Sequence, residues 1–299
     1  MLLIKLAYDE QHDISQDIQQ IRLFLKEKGI IVGICESIEN GISIDRIVCD
    51  DDVYDEKLQS LIDLYCSNIL YRVSIKEYKQ KEFFEYMTEN YFCLSSDEII
   101  EVEYKCMKVL ISENILFDEY NIYCLNIINE IVEKIKECIK ETHQINIEGF
   151  IRFRMKDIAS KIEMIIDKVV ESYMIEKEYN EFIKLLKYFV NIQDSKIESV
   201  EIILDDDGEY KILDENGNDI FLNFTQDLSD LSFRANTNVE DVIISGLITN
   251  CPRRILITNK ENCKNKEFVD TIVNVFGERV EFKNEKKSHI SVDKVKTTW

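Results

Sequence analysis

Leu2–Tyr8 is a short apolar run interrupted only by Lys5, and it reads as a strand. Over residues 13–28 a helical period appears. Ile14, Ile18, Ile21 and Leu25 recur at steps of four, three and four, which is one face of a helix, and Gly29 follows as its stop. Two more strands are expected over residues 30–37 and 42–49, joined through Glu39-Asn40-Gly41. Asn-Gly accepts the positive φ angles of a tight hairpin turn. The opening therefore reads β-α-β-β, roughly fifty residues that bury too little surface to stand without neighbours.

From Asp55 to about Ile192 the pattern is helical throughout, with no proline. Leu58, Leu61, Ile62, Tyr65, Ile69 and Val73 make one stripe. Ser95 followed by Glu98 is a capping-box spacing and opens a helix to about Ile111. Another helix is expected over residues 120–142. A longer one begins near Ile147 and carries Ile151, Met155, Ile158, Ile162, Ile165, Val169 and Tyr173. The stripe then slips phase at Glu176-Lys177-Glu178 and resumes at Tyr179, Phe182, Leu186 and Phe189, which predicts a bend or short break at residues 174–178.

After Asp194 the period changes to two. Strands are expected over residues 199–204 and 209–213, around the turn Asp205-Asp206-Asp207-Gly208, with a second turn at Asn216-Gly217. Residues 224–238 read as a loop. Helix (239–249), strand (254–258), helix (265–276) and strand (279–282) follow, an order that predicts a parallel strand-helix-strand crossover. The fold class is α+β: an N-terminal β-α-β-β unit (1–52), a predominantly helical middle (53–194), a small C-terminal α/β unit (195–284) and a tail (285–299).

Hydrophobic residues at 45% and charged residues at 32% are the balance of a folded chain. The net charge of −21 opposes adhesion of the whole surface to nucleic acid or anionic membrane. The charge is uneven, however. From Cys251 to Trp299 there are 11 Lys/Arg against 7 Asp/Glu, a net of +4, so a local basic face remains open. The 9 cysteines are odd in number and none sits at C-x-x-C spacing, which fits reduced thiols in a reducing compartment. The first residues are too soon interrupted by Asp9 and Glu10 for a signal peptide, and no apolar run approaches a membrane span, so a cytoplasmic location is expected.

Recognisable catalytic spacing is lacking. G-x-G-x-x-G, G-x-x-x-x-G-K-[ST] and G-x-S-x-G are absent, and His12, His143 and His289 are far apart in sequence. Placing Gly208 at the sixth position of a calcium loop puts Ile203 at the first ligand position, and Gly217 puts Ile212 there; neither supplies oxygen. No cofactor, metal or catalytic residue is assigned. Two basic clusters are candidate interaction surfaces. Arg152, Arg154 and Lys156 sit among Phe150 and Phe153, and suit an acidic or phosphorylated partner; the alternative pairs Glu148 with Arg152 at i,i+4 and packs both phenylalanines inside. Arg253 and Arg254, with Lys260, Lys264 and Lys266 beyond, suit an anion or a nucleic-acid backbone, unless the chain's own acids neutralise them.

Five separated segments carry a resemblance. Residues 148–154 (EGFIRFR), 178–190 (EYNEFIKLLKYFV) and, near the C-terminus, 240–249 (EDVIISGLIT), 252–255 (PRRI) and 274–280 (NVFGERV) resemble the YtxC-like sporulation proteins of endospore-forming Firmicutes. The resemblance implies a cytosolic protein of spore formers with no established activity, and no catalytic residue comes with it. The favoured expectation is a non-enzymatic interaction or regulatory factor with another protein as partner. Nucleic-acid association through the C-terminal basic face, and an enzyme with a site assembled from dispersed residues, are the alternatives.

Overall fold

The structure, a computed structural model, describes residues 1–111, 119–205, 207–226 and 238–283. The expected tail at 285–299, most of the expected loop at 224–238 and Asp206 of the acidic turn lie outside the described residues. Two compact units are present, Met1–Met174 and Ile175–Trp299.

In the first unit β1 (Leu2–Tyr8) lies inside a four-stranded sheet. It pairs antiparallel with β3 (Ile42–Val48), which carries β2 (Gly33–Glu39) on its other side. The β2–β3 turn uses Asn40 at φ 54° and Gly41 at φ 82°, the left-handed pair that Asn-Gly was expected to supply. On its other edge β1 pairs parallel with β4 (Gln144–Asn146), so the order is β2-β3-β1-β4. Sequence pattern gives no sign of β4, because three residues are too few to show an alternation. Helix α1 (Ser15–Glu27) buries Ile18, Ile21 and Leu25 as its spacing requires.

Helices α2 (Glu56–Lys81), α3 (Phe83–Asn90), α4 (Ser96–Leu110), α5 (Glu119–Thr142) and α6 (Ile147–Ile192) follow. Asp55 caps α2 by accepting from Leu58 N at 2.6 Å. Ser95 and Glu98 form the reciprocal capping box of α4. Leu3, Ile4 and Leu6 from the sheet join Ile62, Cys66, Tyr78, Val102, Ile139, Ile162 and Ile166 from the helices in one hydrophobic cluster. A fully buried Ile or Leu contributes about 2 kcal/mol, so this shared cluster is what makes the short opening sheet stable.

The second unit has a sheet of order β6-β5-β7-β8, from β5 (Ser199–Leu204), β6 (Tyr210–Asp214), β7 (Arg254–Thr258) and β8 (Val280–Lys283). β5 and β6 form an antiparallel hairpin, while β5–β7 and β7–β8 are parallel. The expected crossover is present: α9 (Lys266–Phe276) joins β7 to β8 and buries Phe268, Ile272, Val275 and Phe276. Phe224, read from sequence as the start of a loop, instead lies in the short helix α7 (Phe221–Gln226) and is buried. Its ring packs on Gly246 of α8 (Val239–Asn250), where a Cβ would fall 2.2 Å from Phe224 Cδ2. That contact is why a glycine stands in the middle of a helix.

Of the bend or short break expected at 174–178, the break does not occur, since α6 is helical without interruption over Ile147–Ile192. The phase slip coincides with a change of core. Ile162, Ile165, Val169 and Tyr173 belong to the first hydrophobic cluster, whereas Ile183, Leu186 and Val190 belong to the second. The stripe shifts because the helix changes the core it serves. Among the described residues no helix is long and apolar enough to cross a membrane.

Candidate interaction surfaces

The first basic cluster lies on the opening turns of α6. Phe150, Ile151 and Met155 are buried, and Arg152, Arg154 and Lys156 are exposed. Phe153 is not packed inside, as the alternative reading required, but 77% exposed, with the Arg152 guanidinium 6.0 Å from its ring centre. At 100° per residue Arg152 and Lys156 share a face, while Arg154 falls on the far side. There Arg154 lines a groove of about 300 Å³ with Phe150, Asp157, Glu137 and Glu141.

The second basic cluster is distributed among local partners. Arg253 Nε is 3.6 Å from Glu198, and Arg254 Nε is 3.4 Å from Glu281, both pairs being exposed. Lys260 Nζ stands 4.5 Å from the ring centre of Phe282, and Lys264 Nζ donates to the Asp207 carbonyl at 3.3 Å. Lys266 is exposed at the start of α9.

His12 and His143 face acids and an amide, and His289 lies outside the described residues. His12 Nδ1 is 2.8 Å from Asp9 Oδ1, and its Nε2 is 3.5 Å from Glu77 Oε2, too long for a well-formed hydrogen bond. Burial pushes the Asp9 carboxyl up, but the hydrogen bonds from His12 outweigh it and hold the group below its ordinary value. His143 closes α5 at φ 50° and lies 3.4 Å from Gln59 Nε2 and 3.8 Å from Asp63 Oδ1. Next to Asp63, burial pushes the Cys66 thiol up to about 12, which leaves it protonated and unreactive near neutrality. Among the described residues no three or more His, Cys, Asp or Glu side chains stand where they could hold a metal ion.

The largest departure from the sequence reading lies on residues 175–192 of α6. Of the stripe expected to be core, Tyr179, Phe182, Leu186 and Phe189, Leu186 is buried and the three aromatic residues are not. Ile183, Leu186 and Val190 face the second unit's core instead, and Phe182 is 54% exposed. Leu185 is 52% exposed, and Ile175, Tyr179, Tyr188, Phe189 and Ile192 are exposed with it. Two apolar stripes share this helix, more than the single face of about 100° that a one-sided helix needs. That excess was visible in the sequence as a second set of apolar residues one position out of register.

Compared with protein families, the chain matches the model of the YtxC-like family over residues 64–281, well over half of its length. The chain belongs to the YtxC-like family. The match spans most of the helical part and extends into the last strand of the second sheet, taking in the five segments that carried the resemblance. Neither the curated proteins nor the solved structures include one that matches this YtxC-like chain.

Proposed function

We propose that this YtxC-like protein is a non-enzymatic interaction factor of sporulating cells, acting in the cytosol and docking a helix of a partner protein on the exposed apolar face of α6. One observation carries the reading: the second unit buries only one of the two apolar stripes on residues 175–192. An aromatic side chain offers 150–250 Å², so Tyr179, Phe182 and Phe189, each about half exposed, leave about 300 Å² of accessible surface, and Ile175, Leu185 and Ile192 extend the same face. That is the size of the largest apolar patch on a typical monomer, which is often functional. Ile175, Tyr179, Phe182, Leu185, Phe189 and Ile192 follow at steps of three and four, the spacing with which one helix seats another. The chain's charge of −21 favours a partner with a basic rim.

The test is affinity capture from sporulating cells, with the wild-type chain and Phe182→Glu/Leu185→Glu as baits. Circular dichroism first establishes that the variant keeps its helix content. A defined protein retained by the wild type and lost with the variant is the expected result. Equal retention by both baits, or nothing above background, overturns the reading. Sedimentation of the purified chain checks the other occupant. A mass that doubles with concentration, and fails to do so in the variant, would place a second copy on this face and refute the separate partner.

A further inference from the structure

The groove that Arg154 lines runs between α5 and α6, and the spacing of both helices builds it. Phe150, Arg154, Asp157 and Ile158 recur at steps of four, three and one along α6, and Ile131, Ile135 and Cys138 at steps of four and three along α5, so each set keeps to one face. Lys161 of α6 pairs with Glu130 of α5 at one end, and the short β4 connection joins the two helices at the other. Ile131, Ile135, Phe150 and Ile158 are buried and give the groove an apolar floor. Its volume of about 300 Å³ is at the lower end of the ~300–1,000 Å³ range of small-ligand sites. A ligand can reach it from solvent, because Arg154, Asp157, Glu137 and Glu141 around it are exposed and Cys138 is half-buried.

The walls carry both signs of charge in equal number, Lys134, Arg154 and Lys161 against Glu137, Glu141 and Asp157. Among the described residues no hydrogen bond or ion pair engages the side chain of Arg154, Asp157, Glu137 or Glu141, although all four line the one groove. A small anion would satisfy Arg154 but meet three carboxylates, and a small cation would do the reverse. A bare metal ion fits no better, since these acids do not stand where three of them could hold one. A wholly apolar ligand would cover the floor but strip water from charges it cannot pair. A zwitterion with an apolar body meets every need at once. Its carboxylate takes two parallel N–H donors from the planar Arg154 guanidinium, its ammonium faces the acids, and its body covers the isoleucines and Phe150. A free α-amino acid with a large apolar side chain carries these three groups on one carbon.

We propose that the α5–α6 groove binds a free apolar α-amino acid, leucine or phenylalanine in size, with Arg154 taking the carboxylate and Asp157, Glu137 and Glu141 the ammonium. The site uses no residue of the α6 docking face, so it stands or falls separately from that reading. Isothermal titration of the full chain uses L-leucine and L-phenylalanine. The controls are N-acetyl-leucine, which lacks the ammonium, and leucine amide, which lacks the carboxylate. At least one amino acid should bind with a dissociation constant below about 1 mM, and each control about 10-fold or more weakly than leucine. Cys138 reports where binding occurs. At ten times the dissociation constant its alkylation by iodoacetamide should slow about 10-fold, with exposed Cys35 and Cys93 unchanged. Arg154→Gln should abolish the preference for leucine over its amide. Asp157→Asn/Glu137→Gln/Glu141→Gln should abolish the preference over N-acetyl-leucine. Helix content by circular dichroism should be unchanged in both variants, because all four side chains are exposed. Equal binding of all four compounds would mark a merely apolar groove and overturns the proposal. So does an absence of heat from both amino acids up to about 10 mM, binding that leaves Cys138 as reactive as before, or preferences that survive in the variants.

Discussion

Gly246→Ala tests the packing of the second unit at its tightest point. A Cβ there would lie 2.2, 2.3 and 2.8 Å from Cδ2, Cγ and Cβ of Phe224, where carbon atoms pack at about 3.5–4.0 Å. Rotating the ring does not relieve this, because the Phe224 Cβ is itself too close, so the backbone of α7 must move. Overpacking of that kind costs about 1–3 kcal/mol, and full expulsion of the ring is bounded by the 3–5 kcal/mol typical of Phe→Ala. Alanine returns about 1 kcal/mol of helix propensity. The expected net loss is about 1–3 kcal/mol, read as a lower midpoint in urea denaturation followed by circular dichroism. Gly149→Ala is the control. Its Cβ would meet nothing nearer than Asn146 Oδ1 at 3.5 Å, so that substitution should be neutral or slightly stabilising. In a cycle with Phe224→Ala, the penalty at position 246 should largely disappear. A Gly246→Ala chain as stable as the wild type, or a penalty that persists without the Phe224 ring, would refute the reasoning.

Tyr8→Phe removes the 2.8 Å hydrogen bond that Asp45 accepts while only 3% exposed, and should lower stability by about 1.5–3 kcal/mol in thermal denaturation. Glu82 and Glu163 bind a proton more readily folded than unfolded, so their contribution is complete below the unfolded value and is lost as pH rises through the raised one. The wild-type chain should therefore lose stability through that window on passing from acid to neutral pH, and Glu163→Gln should flatten the slope of Tm against pH. Brief alkylation with iodoacetamide and peptide mapping should modify exposed Cys35 and Cys93 first, with buried Cys66, Cys106 and Cys251 protected until the chain unfolds.

Periodicity located most elements because most are amphipathic against one core. α1, α4, α9 and the β2–β3 turn stand within a few residues of where spacing and turn chemistry put them. It failed where an element is too short or serves two purposes. β4 offers only Ile145 between two polar residues, and its partner β1 lies at the far end of the unit's sequence. α7 is only six residues long, too short to show a helical period, and it packs through Phe224 and Phe221. On α6 the heavier aromatic residues Tyr179, Phe182 and Phe189 dominate the periodicity, while the aliphatic Ile183, Leu186 and Val190 are what the unit buries.

The tyrosine contacts of Asp167 were illegible for another reason. Among 58 acidic residues, Asp167 carries no signal of its own. Only the fold sets Tyr86 and Tyr91 against a helix some eighty residues later in the chain, where Asp167 Oδ1 accepts from both hydroxyls at 2.6 Å. Partners so far apart in sequence leave no periodicity to read, because Tyr86 and Asp167 each lie on a helix whose own spacing is set by the core it packs against.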